Sequence, residues 1–120
     1  SQSHITNDEP QPVPPPDFCQ IEVFGLTNVA YRWAGETAVF ECVEAARKNY
    51  AVDEKRITLR GFSMGGSGTW HLGLQHPDRW AAMEPGAGFN DTQNYGHMPN
   101  LPAHELKTLH IYESKDYALN

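Results

Sequence analysis

The residues best suited to chemistry are the pentapeptide Gly61-Phe62-Ser63-Met64-Gly65, a G-x-S-x-G pattern. A serine hydroxyl attacks a carbonyl well only when three conditions meet. A turn must expose it, a base must take its proton, and N–H groups must receive the oxyanion it creates. Ahead of the pentapeptide, Ile57-Thr58-Leu59 is a short apolar run that reads as a buried strand. Behind it, Gly65-Gly66-Ser67-Gly68 fits only a loop or the crowded start of a helix. Strand, pentapeptide and helix together place Ser63 on a tight turn, in a backbone region few non-glycine residues occupy. Gly61 and Gly65 lack Cβ atoms, so strand and helix backbones can approach there. The hydroxyl is then expected to face solvent, above a helix N-terminus that offers unpaired N–H groups and positive potential. A plain Gly/Ser turn is the alternative, and the flanking strand and helix favour the first reading. Ser67 reads as a residue of the helix's first turn.

The partners such a serine needs are harder to find. The base is usually a histidine held by a carboxylate, and after this kind of turn the order is serine, acid, histidine. The chain has histidines at 4, 71, 76, 97, 104 and 110. His71 and His76 belong to the helix leading away from Ser63 and read as helix-surface or helix-end residues. His4 is in the polar start. His97, His104 and His110 follow Ser63 before an acid-bearing strand has been laid down. Asp116 is an outside candidate for the acid, following a possible strand at Leu109–Tyr112. Against it, no glycine-containing turn precedes it and no histidine follows it. The histidines are spaced too irregularly for a metal site, and the chemistry calls for no cofactor.

The elements that must position these groups follow in chain order. Residues 1–17, ending PQPVPPPD, form a polar, proline-rich linker or extended segment. Phe18–Phe24 suits a strand, and residues 25–35 a loop. From Gly35 an amphipathic helix runs to about Tyr50, with Ala38, Val39, Cys42, Val43 and Ala46 on its apolar side. Glu36 near its start and Arg47 and Lys48 near its end suit the helix dipole, and Glu44 and Lys48 form an i, i+4 surface pair. After the turn, a helix carrying Trp70, Leu72 and Leu74 is stopped by Pro77 near His76. Trp80–Met83 reads as the next strand, breaking into a loop at Pro85–Phe89. Strand, helix, strand, helix, strand implies a parallel sheet with helices on its faces. Ligands of such a sheet bind beyond the strands' carboxyl ends, where Ser63 and the 84–89 loop fall. The 101–120 stretch is ambiguous between strand and helix.

Composition narrows the classes. A chain of 120 residues, 39% hydrophobic, is at most one domain, 18–120, with a modest core. A net charge of −6 argues against a nucleic-acid partner. No run is long enough to span a membrane, and no signal-peptide pattern opens the chain. It begins with Ser, which suits a processed product or a fragment. Cys19 and Cys42 read as two reduced thiols, with a disulfide between them the alternative, which leaves the compartment undetermined.

The stretch ITLRGFSMGGSGTWHLGLQHPDRWAAM resembles the serine-turn block of α/β-hydrolases of the prolyl-oligopeptidase-like group, which includes predicted peptidases and acyl esterases. Ser63–Trp70 and Pro77–Ala82 match its S-M-G-G-x-G-T-W and P-D-x-W/F-A-A combination closely, Arg32–Phe40 and Tyr112–Asn120 loosely. The resemblance implies a parallel-sheet, three-layer α/β-hydrolase core, present here incompletely. It also implies Ser63 as nucleophile, the Met64 N–H as one oxyanion donor, and a peptide or ester substrate. In that group a segment like YESKDYALN precedes the acid-bearing strand, which counts further against Asp116. The loop for a second oxyanion donor, the acid and the base do not appear, so the isolated chain is expected to be inactive. A non-catalytic hydrolase-like binding module is the alternative.

Overall fold

A computed structural model describes residues 17–117. The proline-rich segment lies outside the described residues apart from Asp17, as do His4 and residues 118–120.

The first helix, α1, covers Ala34–Asn49 and buries Gly35, Val39 and Ala46. Its acidic first turn and basic last turn match the dipole as expected. The expected Glu44–Lys48 pair is replaced. Glu44 meets Arg47 at 2.7 Å and Arg79 at 3.4 Å, while Arg47 also reaches Glu54. A guanidinium fork can serve two carboxylates at once, which an ammonium on a flexible stem does less well.

Strand β1, Thr58–Phe62, pairs in parallel with β2, Ala82–Gly86, from Thr58 opposite Ala82 to Phe62 opposite Gly86. Helix α2, Met64–Gln75, connects them, giving one β-α-β unit. It ends where Pro77 forbids continuation, with His76 as its cap. The second strand starts later than expected and runs through Pro85 and Gly86, which the sequence assigned to a loop. The ladder explains this. Pro85 lies opposite Gly61 in a strand with no further partner among the described residues, an edge position where a missing N–H is tolerated. Trp80 precedes the strand, its indole N–H donating to the Leu72 carbonyl at 3.1 Å and its ring stacked on Phe40.

The two faces of this sheet differ. Leu59 and Gly61 with Met83 and Pro85 are half-buried, while Thr58, Arg60, Phe62, Ala82 and Glu84 are exposed. Helix α2 therefore covers one face, and Phe62 stands 76% exposed on the other. Arg60 and Glu84 face each other there at 3.6 Å, too wet to matter much. The architecture is one parallel β-α-β unit with a helical layer on one sheet face, the pattern expected of an incomplete α/β core.

One expected strand is absent among the described residues, and the stretch left open between strand and helix is helical. Phe18–Phe24 has no ladder partner, and Phe18, Ile21 and Phe24 are exposed. Its β-prone composition supplies a preference, but a strand also needs a neighbour. Leu109–Tyr112 belongs instead to helix α4, Ala103–Tyr112, with Leu106 and Leu109 half-buried at i, i+3. Among the remaining short elements are two single α-turns, α3, Thr92–Tyr95, capped by the Asp91 side chain, and α5, Ser114–Tyr117, and two 3-10 turns at Glu54–Arg56 and Pro77–Arg79.

Candidate active site

Ser63 lies between the last residue of β1 and the first of α2, at φ 56° and ψ −114°. For a residue with a Cβ this conformation costs on the order of 1–3 kcal/mol, so the surroundings must enforce it. Its N–H donates to the Gly86 carbonyl at 2.8 Å, and its own carbonyl accepts from Ser67 N–H at 3.0 Å. One bond ties the turn to β2 and the other starts the helix. The side chain does not cap the helix, is exposed, and finds no hydrogen-bond partner among the described residues. Ser67 is the first amide of α2 with an intrahelical acceptor, so the N–H groups of Met64, Gly65 and Gly66 lack one. Backbone shape alone does not assign chemistry. Trp33 enters α1 at φ 51° and ψ −117°, nearly the same geometry, without a hydroxyl.

The close approach expected of both flanking glycines is made at Gly61. A Cβ there would fall 2.3 Å from the Gly65 carbonyl oxygen, whereas one on Gly65 would meet nothing within 4 Å. The second tight position is Gly66, where a Cβ would lie 2.2 Å from the Gly86 oxygen and 2.8 Å from the Gly88 nitrogen. Sequence reading missed this contact, because its signal is spread over two glycine clusters twenty residues apart. Ser67 is fully buried with its hydroxyl unpartnered, which removes it as a rival nucleophile.

No described histidine is hydrogen-bonded to Ser63. His71 is not a surface residue: it is 2% exposed, and its Nε2 meets Glu36 at 2.8 Å. The Gln75 amide donates to its Nδ1 at 3.1 Å, which leaves the ring proton on Nε2, pointing at Glu36. His76 takes the other Glu36 oxygen at 3.0 Å. Burial holds the His71 pKa below the ordinary histidine value, with the Glu36 hydrogen bond opposing and Arg32 adding to the shift. Eight residues of helix, about 12 Å, separate His71 from Ser63, so this pair joins α1 to α2 and does not serve the hydroxyl. His110 pairs with Asp116 at 2.6 Å in an exposed contact. Asp116 thus sits on a helical turn after a helix, and the strand-then-acid placement is not formed.

A buried polar cluster also went unread. Arg32 and Glu113 are 7% and 2% exposed. Glu113 accepts the Thr92 N–H with both carboxylate oxygens, at 3.1 and 2.9 Å. Arg32 lies over the Phe89 ring at 5.7 Å, and burial lowers its pKa while the Glu113 charge opposes. No sequence pattern marks an arginine and a glutamate 81 residues apart as buried within each other's electrostatic reach. Among the described residues no group of three or more His, Cys, Asp or Glu is arranged to hold a metal, and Cys19 and Cys42 are free thiols. No described helix is long and apolar enough to cross a membrane.

Comparison with known proteins bears on the same region. The sequence model of the prolyl oligopeptidase family matches residues 31–118. A bifunctional acetylxylan esterase/xylanase of Neocallimastix patriciarum is 40% identical over 52 residues, 43% of this chain and 8% of that protein. No solved structure matches significantly.

Proposed function

Since the chain belongs to the prolyl oligopeptidase family of α/β-hydrolases, we propose that it is the central part of a serine hydrolase domain in which Ser63 is the nucleophile. The observation carrying this reading is the exposed Ser63 hydroxyl at φ 56° and ψ −114°, directly ahead of the α2 N-terminus. In the parent protein Ser63 Oγ attacks a peptide or carboxylic ester carbonyl while a histidine beyond the described residues takes its proton. The Met64 N–H, unpaired within the helix, donates to the tetrahedral oxyanion, where the positive end of α2 adds to it. Collapse expels the alcohol or amine, which takes the proton back from the histidine. Water then attacks the acyl-Ser63 ester by the same route and releases the acid. The name of the matching esterase favours the ester arm.

A second reading, a hydrolase-like module that binds without catalysis, is favoured by one observation. The Glu36 pairs with His71 and His76 join α1 to the far half of α2, more than two helical turns from Ser63. A fluorophosphonate probe separates the two. The parent protein should label at Ser63, with labelling lost in Ser63→Ala, and the 120-residue chain should label negligibly because the base is missing. A parent protein that does not label supports the binding module. Strong labelling of the short chain would reveal a base within it.

A further inference from the structure

Beyond β2 the chain runs from Gly86, which holds Ser63 N–H, through Gly88, packed on the head of α2, to Phe89 and α3. One end of this loop is thus fixed beside Ser63. The other end is gripped from a single place, the junction of α4 and α5. Glu113 receives Thr92 N–H on both oxygens, the Lys115 ammonium meets Asp91 at 2.6 Å, and Lys115 N–H donates to the Asn90 carbonyl at 3.3 Å. Three consecutive loop residues are held by two side chains and one amide. Between the two anchors the Phe89 ring contacts the Arg32 guanidinium at 5.7 Å and stacks on Tyr95 at 4.2 Å. Tyr95 is 65% exposed, and Ala87, Phe89, Thr92 and Tyr95 line the same cavity as Ser63, about 1970 Å³ in volume.

We propose that Glu113 is a positioning residue that fixes the 86–95 loop as one wall of the cleft in front of Ser63. This rests on Ser63 being the nucleophile. Glu113 is buried, carries a charge, and spends both oxygens on one loop amide. Glutamine keeps its volume but offers one acceptor and no charge, so the loop gains freedom while the turn at Ser63, held by Gly86, does not. A wall that moves weakens substrate binding more than it slows bond-breaking.

The test compares wild type, Glu113→Gln, Glu113→Asp and Lys115→Met in the parent protein. Fluorophosphonate labelling of Ser63, kcat and KM on nitrophenyl acetate, and amide exchange across residues 86–95 are measured. For Glu113→Gln the expected result is a KM raised about tenfold, the size of one lost charged hydrogen bond, with kcat changed by less than about twofold. Exchange should quicken at residues 90–95 and stay unchanged in α2. Glu113→Asp should recover part of the binding, and Lys115→Met should repeat the pattern more weakly if Glu113→Gln fails to fold. Unchanged KM, or kcat and KM worsening together with a general loss of exchange protection, overturns the proposal. Absence of wild-type labelling overturns the reading of Ser63 instead, and the wall with it.

Discussion

At Ser63 the backbone does something its side chain discourages, and the energetics there run against stability. Glycine has no Cβ penalty at φ 56°, so Ser63→Gly should raise the unfolding free energy by about 1 kcal/mol while abolishing probe labelling. Denaturant melts paired with labelling check both halves, and an equal or lower stability for the glycine variant would mean the turn is unstrained. The glycines nearby divide by what a methyl group would meet. Gly61→Ala and Gly66→Ala should destabilise by about 3 kcal/mol or more, since the obstructing atoms are backbone. Gly65→Ala, in open space within a helix, should be neutral or stabilising by up to about 1 kcal/mol. The pentapeptide pattern singles out Gly61 and Gly65 alike, and only coordinates separate the crowded residue from the free one.

At the level of elements, α1 and α2 are joined by a carboxylate shared between two imidazoles. Burial lowers the His71 pKa below 6.5, so at mildly acidic pH the unfolded chain takes up a proton that the folded chain refuses. The stability from neutral His71 is therefore complete above about pH 6.5 and is lost as pH falls from there through the lower folded value. Thermal melts between pH 7.5 and 5 should show this decline, and His71→Gln should flatten it while lowering stability at neutral pH. A decline of equal slope in both proteins would place the titration elsewhere. Much of this level was legible in advance. The helix ahead of β1, the strand-to-helix turn, and the stop at Pro77 follow from period, glycine placement and a missing N–H, all local properties. The burial of His71, the extension of β2 through Pro85, and the helical state of Leu109–Tyr112 are decided by neighbours far along the chain. A histidine facing α1 looks the same in sequence as one facing water.

For the molecule as a whole, the described residues give a helix layer on one sheet face and leave the other open. Phe62 at 76% and Phe24 at 78% exposure are apolar area exposed to water. The 120-residue chain should accordingly bind a hydrophobic dye and self-associate. Phe62→Lys should reduce both, by light scattering and dye fluorescence, without moving the melting of α2. No change in either readout would mean the face is covered in solution. Phe18–Phe24 follows the same logic: a segment with strand composition and no ladder reflects a missing neighbour. That is why a reading by composition alone put a strand there.

The mutual contact of Gly66 with Gly86 and Gly88 has a practical consequence for anyone wishing to re-engineer this protein. Two main chains touch there with no side chain between them, so the serine cannot be re-aimed by small adjustments in its own turn. Diversity introduced at 61, 66 or 88 should yield mostly unfolded variants. Libraries confined to Phe89, Tyr95 and the outward positions of α3 should keep the scaffold while altering what it accepts.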